Sequence, residues 1–336
     1  MWIPLSTSHA ARSIAALGIV LFGSIAAAAC GGGAGALQGP IQGPSPTPAP
    51  CTRPCVAAEY IVPVGSAGEG ITAGPDGNLW FTGQTGSIGK ITTSGTVTLF
   101  SGDNSGPFAI TAAPDGKLWF VGGSVGNITT AGIVTKIISY FRTSLQGIAA
   151  GPDGNLWFTE NNASNVGKVT PAGGVTLYPT GSMGANAIVA GADENLWFAR
   201  GFEIVRITTS GQTTHFALAD PLANAIGIAA GSDGNLWFAE ARSNQIGRIT
   251  TAGVITEFAI PTPGSAPQYI AAGADGNLYF TEASGNKIGR ITTAGVITEY
   301  NVPTAGAIPL AIAAGPDGNL WFTEGAQEGK VGKFTP

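Results

Sequence analysis

Ile148-Ala149-Ala150-Gly151-Pro152-Asp153-Gly154-Asn155-Leu156-Trp157-Phe158-Thr159-Glu160 decides how the whole chain is read. Apolar runs of strand length flank a centre of turn residues. Asp-Gly supplies the positive φ that a two-residue hairpin needs, and the proline ahead of it stops the preceding strand. A second stretch, Ile288-Gly289-Arg290-Ile291-Thr292-Thr293-Ala294-Gly295-Val296-Ile297-Thr298-Glu299-Tyr300, follows the same plan around Ala294-Gly295. Joined by a variable loop, the two halves give four strand-length runs, the content of one propeller blade.

The turn aspartate recurs at Asp76, Asp115, Asp153, Asp193, Asp233, Asp275 and Asp317, in steps of 39, 38, 40, 40, 42 and 42 residues. Seven units at one period predict an all-β, seven-bladed β-propeller of four-stranded blades. Such aspartates also occur in calcium loops, but repetition at hairpin turns gives them a structural role here. Trp80, Trp119, Trp157, Trp197, Trp237, Tyr279 and Trp321 share one position of the second strand and are expected to pack adjacent blades together. The last unit ends at Phe334-Thr335-Pro336, directly after a third strand. The run Glu59-Tyr60-Ile61-Val62-Pro63 matches the fourth-strand runs that begin at Glu257 and Glu299, so the N-terminal strand is expected to complete the last blade.

Fifty-two glycines, 22 prolines and 10% charged residues exclude a helical protein, and 44% hydrophobic residues suffice for a core. The net charge of −5, with no cluster of lysine or arginine, argues against nucleic acid as a partner. Residues 1–29 read as a signal peptide: Arg12, an apolar run from Ile14 to Ala29, then a small-residue cleavage site. Residues 30–58 read as a Gly/Pro-rich tether, and 59–336 as the propeller. Cys30, followed by three glycines, resembles a lipidation site, with simple cleavage and secretion as the alternative. The protein is thus expected to be exported, to meet a membrane only through a lipid anchor, and to be monomeric. Cys51 and Cys55 are left as a local disulfide, as free thiols or, less readily, as metal ligands.

In a propeller the first strands line the axial channel, and each starts beside the end of the second strand. Two residues before the isoleucine of each first strand stand Glu69, Phe108, Gln146, Asn186, Ile226, Gln268 and Leu310. The matching second-strand ends are Gly83, Gly122, Glu160, Arg200, Glu240, Glu282 and Glu324. Both rings are expected at one mouth of the channel, where four carboxylates suit a divalent cation. The alternative is pairing with bases eight or nine residues on, Lys168, Arg248, Arg290 and Lys333. Gln146, Asn186, Gln268 and Tyr269, with Phe108 as an apolar wall, suit a neutral polar ligand such as a sugar or peptide. Only His9 and His215 are histidines, and His215 falls on an outer strand, so nucleophile–base pairs with histidine are excluded.

The repeat Gly-Pro-Asp-Gly-Asn-Leu-Trp-Phe-Thr-Glu, with Ile-Gly-Arg-Ile-Thr-Thr-Ala-Gly-Val-Ile-Thr-Glu-Tyr, resembles the streptogramin B (virginiamycin B) lyase family over residues 59–336. The resemblance implies a seven-bladed propeller and magnesium-dependent C–O elimination that linearises a cyclic depsipeptide. It further implies a Glu-x-His at the start of the sixth first strand, a histidine one blade earlier, and a metal-binding Glu at the sixth second-strand end. Those places hold Ala266-Pro267-Gln268, Ile226 and Glu282. With Gln268 in place of the general base, a ligand- or partner-binding protein is expected. The alternative is a C–O lyase on another substrate using Glu282 or Glu69 with a divalent cation, magnesium being the candidate cofactor. Glu282, then Glu240 and Glu324, are the candidate metal ligands.

Overall fold

A computed structural model describes residues 52–62, 67–83, 86–102, 106–139, 144–326 and 329–336. The described residues form seven four-stranded antiparallel sheets. Each first strand packs beside the first strand of the next blade, and that of blade 7 (Pro309–Ala314) lies against that of blade 1 (Ala67–Ala73), which closes the ring. The seven-bladed all-β propeller expected from the repeat is the structure observed.

The turns show why the repeat takes this form. Asp153 accepts the Asn155 backbone N–H at 3.2 Å and the Trp157 indole N–H at 3.1 Å, while Gly154 sits at φ 75°. The aspartate therefore fixes both the turn and the first large ring of the core. In blade 4 the glycine is replaced by Glu194, which is exposed and held at φ 59°. A side chain in the left-handed region costs about 1–2 kcal/mol, so Glu194→Gly is expected to raise the unfolding free energy by about 1 kcal/mol, read from the denaturant midpoint. No gain would mean that the turn carries no strain.

Each core lies between two blades. Trp237, Ile246, Ile260, Ile270, Leu278, Phe280 and Ile291 form one such cluster across blades 5 and 6. A fourth-strand ring caps the second-strand tryptophan, as Phe258 does Trp237 at 5.6 Å. On the other face, Phe280 lies across Gly289, where an added Cβ would sit 2.1 Å from the ring.

The closing strand is Cys55–Ile61, antiparallel to Lys330–Thr335, with Glu59 opposite Gly332 and Tyr60 opposite Val331. It starts at Cys55 and not at Glu59, because the last strand runs on to Thr335 and offers partners that far. Cys55 is disulfide-bonded. Cys30 and Cys51, like the expected signal peptide, lie outside the described residues. Among the described residues no helix is long and apolar enough to cross a membrane.

Candidate functional site at the channel mouth

The ladder between first and second strands is interrupted at the mouth. In blade 3, Leu145 pairs with Glu160 and Ile148 with Phe158, so Gln146 and Gly147 are left over on one side. The same shift separates Ala185 from Ile188, Ala225 from Ile228, Pro267 from Ile270 and Pro309 from Ile312. Blade 1 is shifted between Ala67 and Ile71, whereas blade 2 runs in register from Ala109 to Ala112. A bulge frees residues from the ladder and re-aims their side chains. Glu69, Gln146, Asn186, Ile226, Gln268 and Leu310 occupy these bulges, Phe108 joins them from blade 2, and all seven are half-buried.

In blades 1, 3 and 6 a threonine locks the bulge to the next blade. Thr159 Oγ1 accepts the Gly147 N–H at 2.9 Å and donates to the Asn186 carbonyl at 2.5 Å. Thr281 does the same with the Tyr269 N–H at 3.1 Å and the Leu310 carbonyl at 2.6 Å. In blades 4 and 5 the matching residues are Ala199 and Ala239. In blade 4 Asn186 takes over: its Nδ2 reaches the Ala225 carbonyl at 2.8 Å, and its Oδ1 accepts from Asn161 at 3.1 Å. Asn186 thus holds blades 3, 4 and 5 together, a role the sequence reading did not give it. Gln146 Nε2 donates to Ser144 Oγ at 2.8 Å, and Gln268 Nε2 to the Ala266 carbonyl at 3.2 Å. Glu69 is the one carboxylate among the seven mouth residues. Burial raises its pKa, and the Tyr269 phenol is raised by burial and by Glu69.

The second-strand ends lie beside the mouth residues in the ladder, but their charged side chains are enclosed. Glu160, Arg200, Glu240, Glu282 and Glu324 are 0–2% exposed. Second-strand side chains stand perpendicular to their sheet, and the chain linking one blade to the next covers them. Nor do these acids meet the bases eight or nine residues on. Lys168 lies opposite Trp157, its Nζ 5.3 Å from the ring centroid, and pairs with Asp153 at 3.8 Å. Arg290 pairs with Asp275 at 3.8 Å, Lys333 with Asp317 at 2.8 Å and Lys90 with Asp76 at 3.6 Å, while Arg248 sits over Trp237.

Each buried acid faces a different set of groups. Opposite Glu282 is Lys287, whose Nζ donates to Thr262 Oγ1 at 2.5 Å and lies 3.6 Å from Glu299. The Thr262 N–H in turn donates to Glu299 at 3.2 Å. Blade 7 repeats the arrangement with Glu324, Lys330, Thr304 and Glu59: Lys330 Nζ to Thr304 Oγ1 is 2.6 Å and the Thr304 N–H to Glu59 is 3.2 Å. Blade 3 pairs Glu160 with the Asn165 amide at 2.9 Å. Blade 4 reverses the charges: Arg200 meets Glu203 at 3.0 Å, and Glu203 meets His215 at 3.1 Å. These pockets, which the sequence reading missed, were signalled by Pro261-Thr262 and Pro303-Thr304 ahead of two first strands.

Burial, then the neighbouring Glu299 or Glu59, pushes the Glu282 and Glu324 carboxyls up from 4.5 to about 8. A raised acid keeps its proton in the fold, so its stabilisation is complete below the unfolded pKa and is lost as pH rises towards 8. The turn aspartates run the other way. Burial opposes ionisation of Asp153, but hydrogen bonds from Asn155 and Trp157 outweigh it and lower its pKa, so that contribution is lost on acidification. The unfolding midpoint is therefore expected to be higher near pH 5 than near pH 8. Calorimetry giving a flat or rising profile across that window would contradict the burial of these acids.

The closed ring of seven four-stranded blades defines a seven-bladed propeller. The chain belongs to the virginiamycin B lyase family, whose model matches residues 52–200 and 138–336. A streptogramin B lyase structure is 34% identical, with a TM-score of 0.77 over 83% of this chain and 96% of that one. Selenomethionine-substituted virginiamycin B lyase from Staphylococcus aureus is 36% identical, with a TM-score of 0.76 over 83% of this chain and 98% of that one. A catalytically inactive histidine-to-alanine variant of the same lyase, with quinupristin, matches equally well, at 36% identity and a TM-score of 0.76 over 83% and 98%. Comparison with curated protein sequences gave no match.

Proposed function

We propose that this member of the family is an exported propeller that binds a small polar ligand, peptide or saccharide at its channel mouth and does not carry out streptogramin lyase chemistry. The observation that carries the reading is the place of His215, paired with Glu203 on an outer strand, while Gln268 stands at the mouth. Elimination needs a base to take the proton from carbon as the C–O bond breaks, and a glutamine amide cannot accept it. The family's magnesium does not fit this mouth: Ala266, Gln268 and Ile226 bring no charged ligand, and Glu282 is enclosed with Lys287. Gln146, Gln268, Tyr269 and Phe108 remain as ligand contacts. Nucleic acid is not a partner on this reading, the protein acts as a monomer, and Cys30 carries the lipid that anchors it.

Purified protein with magnesium is expected to leave quinupristin intact by mass spectrometry. Ring opening above background would overturn the reading. A panel of oligosaccharides and short peptides is expected to contain members that raise the unfolding midpoint, with the shift lost in Gln268→Trp, which crowds the mouth. A panel without such a member would remove the binding role. A second reading, lyase chemistry on another ester, rests on Glu69, the one acid among the seven mouth residues, whose carboxyl is raised by burial and lies near the Tyr269 phenol.

A further inference from the structure

The internal repeat offers its own comparison, because the same buried pocket recurs in blades 5, 6 and 7 with different contents. Ladder pairing places Gln245 opposite Glu240, where Lys287 faces Glu282 and Lys330 faces Glu324. It likewise places Glu257, Glu299 and Glu59 at one fourth-strand position, each opposite a glycine. Blades 6 and 7 therefore hold two carboxyl groups around one lysine ammonium. Blade 5 holds the two carboxyl groups and no base.

The acids of blade 5 are not relieved in another way. Glu240 is fully buried and neither of its oxygens is hydrogen-bonded, which holds for Glu282 and Glu324 too, but Glu240 alone of the three has an amide and not an ammonium opposite; Glu257 Oε1 is also buried and unpartnered. Where Thr262 and Thr304 receive the ammonium, the chain entering blade 5 has Asp220, a third negative charge. Asp220 is taken up by other partners, accepting the Leu222 N–H of its own loop at 2.8 Å and the Ser243 hydroxyl of the blade 5 hairpin loop at 2.7 Å. A fully buried carboxyl facing a half-buried one with no cation between them is unfavourable.

We propose that the pocket between Glu240 and Glu257 is a cation site, taking a calcium or magnesium ion where blades 6 and 7 carry their own lysine ammonium. Carboxylate and amide oxygens are the ligands that such hard cations prefer. The Gln245 side-chain carbonyl and water complete the set, since among the described residues no three His, Cys, Asp or Glu side chains are grouped as metal ligands. With two charged ligands the affinity belongs in the weak range, a Kd on the order of 10⁻⁴–10⁻³ M. The site is separate from the channel mouth and does not depend on what the mouth binds.

The test uses the full chain at fixed ionic strength and neutral pH, with calcium or magnesium chloride at about 5 mM against EDTA. The unfolding midpoint is expected to rise saturably by ~3 °C, and calorimetric titration is expected to show one ion per chain. Gln245→Lys installs the ammonium of the neighbouring blades. It should fold, melt higher in EDTA and lose the response; Glu240→Gln should also lose it. The proposal is overturned by a wild-type midpoint indifferent to both metals, or by a response undiminished in the two variants. A metal-indifferent midpoint that rises more on acidification in wild type than in Gln245→Lys would also overturn it, assigning the vacant charge to a proton shared between Glu240 and Glu257.

Discussion

A chain starting at Ala67 is expected to give no cooperative unfolding transition and to elute as aggregate, while the full chain melts sharply. Without Cys55–Ile61 the last strand, Lys330–Thr335, becomes an open edge with unpaired backbone groups, the feature that invites association between chains. Val56 and Val62, buried in the cores that flank blade 7, go with it. So does Tyr60, whose ring stacks on Trp321 at 5.7 Å. Glu59 is lost as the acceptor for Thr304, at 3.2 Å from its N–H and 2.9 Å from its hydroxyl, which frees the loop entering blade 7. Circular dichroism melting with size-exclusion chromatography decides the matter. A monomer that melts as sharply as the full chain would show that the ring holds without its closing strand.

Trp237→Ala is expected to lower the unfolding free energy by about 4 kcal/mol. The indole is fully buried, stacks on Phe258, donates to Asp233 at 3.2 Å and packs against Ile270, Leu278 and Phe280 of the next blade. Its removal leaves a cavity walled by rigid strands that cannot collapse into it, so both the transfer and the cavity cost apply. Tyr279→Phe is the contrast: it removes only the hydroxyl bonded to Asp275 at 2.8 Å and should cost about 1 kcal/mol. Urea midpoints at unchanged slope measure both. Equal losses would mean that the ring's bulk does not carry the blade interface.

The blade plan was legible because Asp-Gly, the second-strand tryptophan and the third-strand glycine each have one local job and each recur in six of the seven blades. That one first-strand residue per blade is half-buried two places before the isoleucine was legible because the isoleucine recurs at one register position in every blade. What could not be read was which acid meets which base. In an antiparallel hairpin, partners move apart in step from the loop. Once Glu282 faces Lys287 beside the loop, Arg290 falls opposite Tyr279, at the far end of the strand. Separation along the chain suggested a pairing that the position of the hairpin loop rules out. Burial of the second-strand acids was hidden for a related reason. Period-two alternation says that Glu240, Glu282 and Glu324 share a face with the phenylalanines, but not that the chain between blades folds over that face. The bulges that free Gln146 and Gln268 leave no mark in composition.

The reversed charges of blade 4 bear on how such a molecule can be inherited. Arg200, Glu203 and His215 occupy the places held in blade 6 by Glu282, Lys287 and Glu299. A crossover between repeats that carried Arg200 beside Lys287, or Glu282 beside Glu203, would enclose two like charges with no water to screen them. The segment from second to fourth strand can therefore be exchanged only as a block. Its connection to the preceding blade is freer, since Arg200 meets that loop through the Thr180 backbone carbonyl at 3.3 Å, a group every residue supplies. In a gene made of near-identical repeats, where misaligned recombination is frequent, the workable joints then lie in the first strands and their turns.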